Sequence, residues 1–160
     1  MDHLFSPWRY EYVTSKKGDG GCVLCRLGAA GPSEDEVGFV VARERHVFVV
    51  LNIYPYNSGH LMVVPYVHAA RMAALEGDVL SELVRVAARA EAALEEAYRP
   101  DGINLGMNLG QCAGAGIADH LHLHLVPRWA ADTNFITVAG ETRVLPENLR
   151  STWRRLRGRI

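Results

Sequence analysis

The sequence lacks the features that would assign it to several large classes of protein. Its formal net charge is only −1 over 160 residues. This excludes a broad basic surface for nucleic acid, so an anionic ligand would need a local site. Three cysteines, an odd number, make a poor disulfide framework. No segment approaches the roughly 20 apolar residues that span a bilayer, and the start at Met1 lacks the basic and apolar stretch of a secretory signal. These absences predict a cytoplasmic protein with no membrane and no nucleic-acid partner.

The chain does have enough apolar material for one folded unit. Hydrophobic residues make up 49% of the sequence, and the length suits a single domain over residues 1–160. Residues 1–21 are interpreted as an N-terminal arm, and residues 147–160 as a C-terminal helix or tail. The clearest helix signal begins at Asp78, a residue type that suits an N-cap, and continues with helical spacing to Tyr98.

Dense β-branched and alternating segments predict about five strands. These are expected at residues 37–42, 46–53, 60–65, 103–109 and 118–126. Residues 54–59 hold proline, asparagine and glycine and predict the turn of a hairpin. Most connections are too short for parallel crossovers. The predicted fold class is therefore α+β, an antiparallel sheet with one long helix packed on a face.

The densest chemical signal is a row of histidines. Residues 120–126 read His-Leu-His-Leu-His-Leu-Val, so a strand here would place His120, His122 and His124 on one face and the leucines on the other. Successive imidazoles would lie about 7 Å apart, given the strand rise of roughly 3.3 Å per residue. Such a row can be a surface feature, a metal site or an anion site. Catalytic zinc sites usually draw ligands from several elements, so a metal site made from these three residues alone is the weaker alternative.

A glycine-rich loop directly before the histidines favours the anion site. Gly110, Gly114 and Gly116 fall within seven residues, and glycine lets backbone N–H groups approach an anion closely. Its position suggests a phosphate cradle facing a nucleophile, with Gly114 and Gly116 as nucleotide-binding residues. Imidazole is a good nucleophile near neutral pH, and neighbouring histidines can donate hydrogen bonds to phosphate oxygens.

Two of the cysteines are spaced as half of a zinc site. Cys22 and Cys25 form a Cys-x-x-Cys pair, and the remaining ligands would come from elsewhere in the chain. Two ordinary buried cysteines are an alternative. A redox pair is less favoured, because no thioredoxin-like βαβ pattern surrounds the cysteines. Cys112 is interpreted as an unpaired thiol in the glycine-rich loop.

Several of these segments together resemble a known family. The histidine row followed by proline and arginine at 127–128 looks like the signature of the histidine-triad (HIT) family, whose members hydrolyse or transfer nucleotides from dinucleoside polyphosphates or nucleoside phosphoramidates. Residues 51–65 resemble the family's nucleotide-binding hairpin. Residues 8–9, the cysteine pair and residues 127–135 resemble a bacterial branch that includes diadenosine tetraphosphate phosphorylases. The likeness covers most of residues 4–150.

The resemblance implies roles for individual residues. His122, the middle histidine, would be the nucleophile, and His124 would contact the reacting phosphate. Asn52 stands where the family holds the ribose hydroxyls, and Asn108 where it contacts a phosphate. His60 matches the histidine that opens the second hairpin strand and is counted among the nucleotide-binding residues.

The resemblance also implies a metal and a partner. In zinc-bearing members, a histidine just after the second hairpin strand and the first triad histidine complete the site. Those positions are His68 and His120 here, with Cys22 and Cys25, so a structural zinc ion is expected. Magnesium is expected only as a companion of the polyphosphate. Family members are usually homodimers whose sheets join edge to edge, which would also cover an exposed strand edge.

One departure from the family pattern shapes the functional prediction. Hydrolase branches carry glutamine and then serine or threonine shortly before the first triad histidine, where this chain has Gly116 and Ile117. The predicted activity is nucleotidyl transfer from a dinucleoside polyphosphate, with diadenosine tetraphosphate first, through a covalent nucleotidyl-histidine and with phosphate as the favoured acceptor. The alternatives are an asymmetric dinucleoside polyphosphate hydrolase, a nucleoside phosphoramidate hydrolase, a nucleotide-binding module with vestigial catalysis and a zinc-braced interaction protein.

Overall fold

A computed structural model describes residues 21–130, residue 132 and residues 147–160. All of the predicted N-terminal arm except Gly21 lies outside the described residues, as does the family-like segment after residue 132. The described helices are α1 (Val23–Ala29), α2 (Asp35–Gly38), α3 (Gly77–Tyr98) and α4 (Leu149–Leu156), and the strands are β1 (Val40–Arg43), β2 (Val47–Leu51), β3 (Leu61–Pro65), β4 (Gly102–Gly106) and β5 (Leu123–Arg128). None of the described helices is long and apolar enough to cross a bilayer.

The five strands form one sheet in the order β1-β2-β3-β5-β4, and every neighbouring pair is antiparallel. The predicted α+β fold with a five-stranded antiparallel sheet and one long helix is confirmed. Strands β2 and β3 are buried at every position and consist mainly of valine and leucine, which suit a pleated surface covered on both faces. Met62 of β3 lies directly opposite His124 of β5, so these two side chains share one face of the sheet.

Helix α3 covers the other face. Its buried positions recur every three or four residues and pack against inward leucine and valine side chains of the sheet, including Leu123 and Leu125. The helix begins at Gly77 with Glu76 as its N-cap, so the cap expected at Asp78 is wrong. Asp78 instead lies in the first turn, where its negative charge interacts favourably with the helix dipole.

Part of the face that carries His124 is covered by α1. Leu24 of α1 packs on Phe48, Val50, Met62 and Val64 in a second apolar cluster. Because α1 carries the cysteine pair, this packing brings both cysteines to the histidine face of the sheet. Residues 32–38 form two short helical turns, and the first strand therefore begins at Val40 rather than at residue 37.

The histidine strand begins later than expected. Residues 118–126 are the predicted strand, but β5 starts at Leu123, so His120 and His122 precede it. Extending the β3–β5 register would pair Leu121 with Pro65, and proline has no amide hydrogen to donate to the ladder. The Leu121 N–H donates instead to the Ala69 carbonyl at 2.7 Å. This bond fixes the triad segment to the loop that follows β3.

Candidate active site and metal centre

His122 is a buried imidazole that presents one free nitrogen. Its Nδ1 lies 2.8 Å from the main-chain oxygen of His120. A carbonyl oxygen only accepts hydrogen bonds, so Nδ1 must carry the proton and Nε2 keeps its lone pair. Burial lowers the pKa of His122, an effect that its bond to the His120 carbonyl partly offsets. The result is a neutral, oriented imidazole whose Nε2 can act as a nucleophile.

His124 takes part in a hydrogen-bonded chain that determines its tautomer. The Tyr56 N–H donates to His60 Nδ1 at 3.1 Å, so the proton of a neutral His60 sits on Nε2. That Nε2 lies 3.0 Å from His124 Nδ1 and donates to it. His124 therefore carries its own proton on Nε2, and this N–H is the group that can donate to a phosphate oxygen. The rings of His122 and His124 meet edge to face, with centroids 4.7 Å apart.

The His60–His124 pair holds no positive charge at neutral pH. Burial lowers the pKa of His60 to about 3, with repulsion from His124 and His122 adding to the shift. Burial likewise lowers the pKa of His124 to about 4, with repulsion from His122. Desolvation disfavours the charged form of an imidazole. The two histidines thus offer hydrogen bonds to an anion, and its charge must be balanced by other groups.

Burial of this histidine pair predicts a stability that depends on pH. Unfolded histidine titrates near 6.5, while His60 and His124 titrate near 3 and 4 in the folded protein. The unfolded chain therefore binds more protons between about pH 6.5 and about pH 3. Stability is complete above this window and falls as the pH decreases through it.

Urea unfolding at about pH 7.5 and about pH 5 measures the effect. The double variant His60→Asn, His124→Asn should lose less stability between the two pH values than the wild type, while His46→Asn should behave as wild type. Protonation of the other titratable groups between these two pH values affects all three proteins alike. Equal pH dependence in the wild type and the double variant would contradict the prediction.

A second group of side chains converges beside the triad. Cys22, Cys25, His68 and His120 offer ligand atoms that all lie within 4.8 Å of one another. Cys25 Sγ lies 3.2 Å from His68 Nδ1, and Cys22 Sγ lies 3.3 Å from His120 Nδ1. The cysteines come from the start of α1, His68 from the loop after β3, and His120 from the segment before β5. The four residues proposed from the sequence are therefore brought together.

The geometry of this group fits a tetrahedral metal ion. Zinc bonds of about 2.3 Å to sulfur and about 2.0–2.1 Å to nitrogen place sulfur and nitrogen about 3.6 Å apart, close to the distances found. His120 Nε2 lies 2.8 Å from the Pro65 carbonyl, so Nε2 carries the proton and Nδ1 is free to bind a metal. A second ring nitrogen bonded to a carbonyl is typical of metal-binding histidines. His120 thus has its ring in the metal group and its main-chain oxygen on His122.

The remaining predicted residues surround the triad less closely. Asn52 directly follows β2, and its Oδ1 accepts the Tyr54 N–H at 2.9 Å. Asn108 is half-buried in the irregular segment after β4. The Gly114 amide already donates to Gln111 within the glycine-rich loop at 2.9 Å, so it is not available to a phosphate. Within the part of the chain that the structure describes, no acceptor takes the Gly116 N–H, which favours Gly116 over Gly114 as an anion donor.

Two groups that organise the site have no signal in the sequence. The Pro65 carbonyl orients His120, and the Tyr56 amide orients His60. Both are main-chain groups, so the residue type at each position carries no indication of the role. Only the spacing of the hairpin turn before His60 hints at the second contact.

Comparisons with known proteins identify the family of the chain. A profile of the HIT domain matches residues 34–131, and the chain therefore belongs to the HIT-domain family. It is 48% identical to the AP-4-A phosphorylase of Mycobacterium tuberculosis, over 98% of this chain and 83% of that protein. A zinc-bound histidine triad family protein from Mycobacterium smegmatis is similar in structure, with a TM-score of 0.69 at 26% identity, covering 87% of this chain and 92% of the other. A HIT family protein from Bacillus anthracis has a TM-score of 0.61 at 30% identity, covering 69% and 75%.

Proposed function

We propose that the protein transfers a nucleotidyl group from a dinucleoside polyphosphate to inorganic phosphate. Diadenosine tetraphosphate is the main proposed substrate. The observation that carries the proposal is the free Nε2 of His122, held by the His120 carbonyl beside the Nε2–H of His124. The two rings have centroids 4.7 Å apart. A nucleophile this close to a group that donates a hydrogen bond to phosphate suits attack on an α-phosphate. The relative at 48% identity, named AP-4-A phosphorylase, supports the same substrate class.

In the first step, His122 Nε2 attacks the α-phosphorus in line. The N–P bond forms as the P–O bond to the leaving polyphosphate breaks, and the electron pair leaves with that oxygen, so diadenosine tetraphosphate releases ATP. Positive charge develops on the His122 ring, and the Nδ1–H bond to the His120 carbonyl strengthens with it. The His124 Nε2–H donates to a non-bridging phosphate oxygen. Asn108 and Gly116 contact the phosphates, and Asn52 holds the ribose hydroxyls.

In the second step, an oxygen of inorganic phosphate attacks the phosphorus of the nucleotidyl-histidine. The N–P bond breaks, its electron pair returns to Nε2, and ADP leaves. The geometry around Ile117 supports phosphate as the acceptor. Ile117 packs into the apolar cluster of Leu24 and Met62, so its position offers no polar side chain to orient an attacking water. Poor placement of a small nucleophile reduces rate steeply, whereas phosphate carries charge with which to bind.

Product analysis tests this proposal. With diadenosine tetraphosphate and inorganic phosphate, chromatography should show ADP and ATP in equal amounts, and omitting phosphate should slow substrate loss by at least about tenfold. His122→Ala protein serves as the blank for contaminating activity. Accumulation of AMP and ATP at one rate with or without phosphate, and without ADP, would establish an asymmetric hydrolase instead. Stoichiometric binding with no turnover under either condition would leave a nucleotide-binding module.

The metal of the proposed enzyme is a structural zinc ion held by Cys22, Cys25, His68 and His120. It rests on their convergence and on the fit to zinc bond lengths. When bound, zinc would tie α1 to the sheet and brace the segment that carries the triad. Magnesium enters only with the polyphosphate, whose charge it can share.

The proposed partner is a second copy of the chain. Strand β4 is the last strand of the described sheet, and most of its residues are exposed, with Leu105 53% exposed. An open, partly apolar edge is suited to pairing with another strand. Edge-to-edge pairing of two β4 strands would continue the sheet across a homodimer, and a monomeric mass by sedimentation would contradict it. The proposed location is the cytoplasm, where thiols such as those of Cys22, Cys25 and Cys112 are kept reduced.

A further inference from the structure

Arg71 lies against the glycine-rich loop without an ionic partner. A methyl group on Gly110 would lie 3.8 Å from Arg71 Nη2. Arg71 is exposed, and within the described part of the chain no carboxylate pairs with it and no hydrogen bond engages its guanidinium. Arg71 shares this lack of an ion pair with other described arginines such as Arg85, whereas seven described arginines do form one: Arg43, Arg89, Arg128, Arg150, Arg154, Arg155 and Arg159. Its position beside the glycine-rich loop is what distinguishes Arg71.

The loop that carries Arg71 is fixed to the triad segment. Two residues before Arg71, the Ala69 carbonyl accepts the Leu121 N–H at 2.7 Å. Ala69 and Leu121 also pack with Leu75, and Leu109 at the start of the glycine-rich loop lies against the same cluster. The segment that carries Arg71 is therefore attached both to the residue before His122 and to the loop that precedes the triad.

A fixed cation here would complement the charge of the phosphates, beside any magnesium that enters with them. His60 and His124 remain neutral at pH 7, as the pKa values of about 3 and about 4 require. A dinucleoside tetraphosphate and an incoming phosphate both bring several negative charges. A guanidinium presents planar donors that match phosphate oxygens in pairs. The free Gly116 N–H lies in the same loop and adds a neutral donor.

We propose that Arg71 and the loop 110–116 form a subsite for the phosphates beyond the α-phosphate. This proposal rests on the proposed function and names the charged half of the same site. In an in-line displacement the leaving group departs opposite His122, and the acceptor must approach from that same side to break the N–P bond. One subsite therefore holds the leaving polyphosphate first and the acceptor phosphate afterwards. Arg71 discriminates a polyphosphate from a monophosphate and lowers the repulsion between the acceptor and the nucleotidyl group.

Binding of ATP and AMP to the full-length protein tests the subsite without turnover. Calorimetry at constant ionic strength, in buffer with neither magnesium nor chelator, gives the ratio of the two dissociation constants. Arg71→Gln should weaken ATP binding about tenfold while changing AMP binding little, since it removes a charged hydrogen bond to the outer phosphates. Arg71→Lys should retain part of the preference for ATP. Arg85→Gln, which removes the same charge from α3 on the opposite face of the sheet, is the matched control.

Steady-state kinetics add a second readout. Arg71→Gln should raise the KM for inorganic phosphate about tenfold with diadenosine tetraphosphate as donor, and Arg85→Gln should not. An ATP-to-AMP ratio that Arg71→Gln leaves unchanged, or shifts no more than Arg85→Gln does, overturns the subsite even if phosphorolysis is normal. A loss of ATP preference in Arg71→Gln supports the subsite even if the protein proves to be a hydrolase, so the two failures are distinguishable.

Discussion

Replacement of His122 by alanine should reduce turnover of diadenosine tetraphosphate by several orders of magnitude, while nucleotide affinity changes little. The substitution removes Nε2, the atom that would form the bond to phosphorus, and leaves the donors around the phosphate in place. Loss of a nucleophile lowers kcat and kcat/KM together, because the interaction exists only along the reaction path. His46→Ala is the matched control, since His46 lies at the turn before β2 and contacts Glu82 through its main-chain amide.

The covalent step has its own signature. Wild-type protein quenched in base during turnover should carry a nucleotidyl adduct by intact-protein mass spectrometry, and this adduct should disappear in acid, because a phosphoramidate bond hydrolyses there. His122→Ala should show no adduct, and peptide mapping should place the wild-type adduct on His122. Near-wild-type activity in His122→Ala, or an adduct on another residue, would remove His122 as the nucleophile.

The second large effect concerns the metal group. Cys22→Ser should lose the metal and several kcal/mol of folding free energy, because binding energy at a structural zinc site is also folding energy. For a domain of this size that corresponds to a melting temperature about 10 °C lower. The loss is large because the four ligands join α1, the loop after β3 and the triad segment.

Cys112→Ser is the control for thiol removal. Cys112 is an exposed free thiol in the glycine-rich loop, so this variant should keep about one zinc ion per chain and the wild-type melting temperature. Metal content by atomic emission, on protein purified without chelator, checks both variants. Folded and active wild-type protein without stoichiometric metal would refute the zinc site.

The sheet could be predicted because its strands carry local signals. Residues 47–51 and 61–65 are dense in β-branched and apolar side chains, and the alternation of histidine with leucine correctly placed Leu123 and Leu125 under α3. The start of β5 could not be predicted in this way. It depends on Pro65, a residue of the neighbouring strand whose missing amide ends the ladder, and the sequence does not state that register.

The residues of the site were predictable to different degrees. Cysteine and histidine have few structural uses in such a pattern, so the convergence of Cys22 and Cys25 with His68 and His120 followed from their types and from the family resemblance. The Gly114 amide donates inside the loop and is not available to an anion. This could not be anticipated, because the glycine content of a loop does not reveal which of its N–H groups remain free. The tautomers of His60 and His124 also depend on a main-chain donor that any residue except proline at position 56 would supply.

The double contact of His120 affects how mutational data on this protein must be interpreted. Its ring belongs to the metal group and its carbonyl orients the nucleophile, yet a side-chain substitution removes only the first. An alanine scan would therefore score His120 as a metal residue and miss its part in aligning His122. Replacing the amide between residues 120 and 121 by an ester, through protein semisynthesis, weakens the carbonyl as an acceptor and leaves every side chain intact. Because the ester also removes the Leu121 N–H that bonds the Ala69 carbonyl, an ester between residues 69 and 70, which weakens the acceptor of that same bond, is the control. The contribution of the His120 carbonyl to turnover is therefore measured by backbone substitution and not by side-chain substitution.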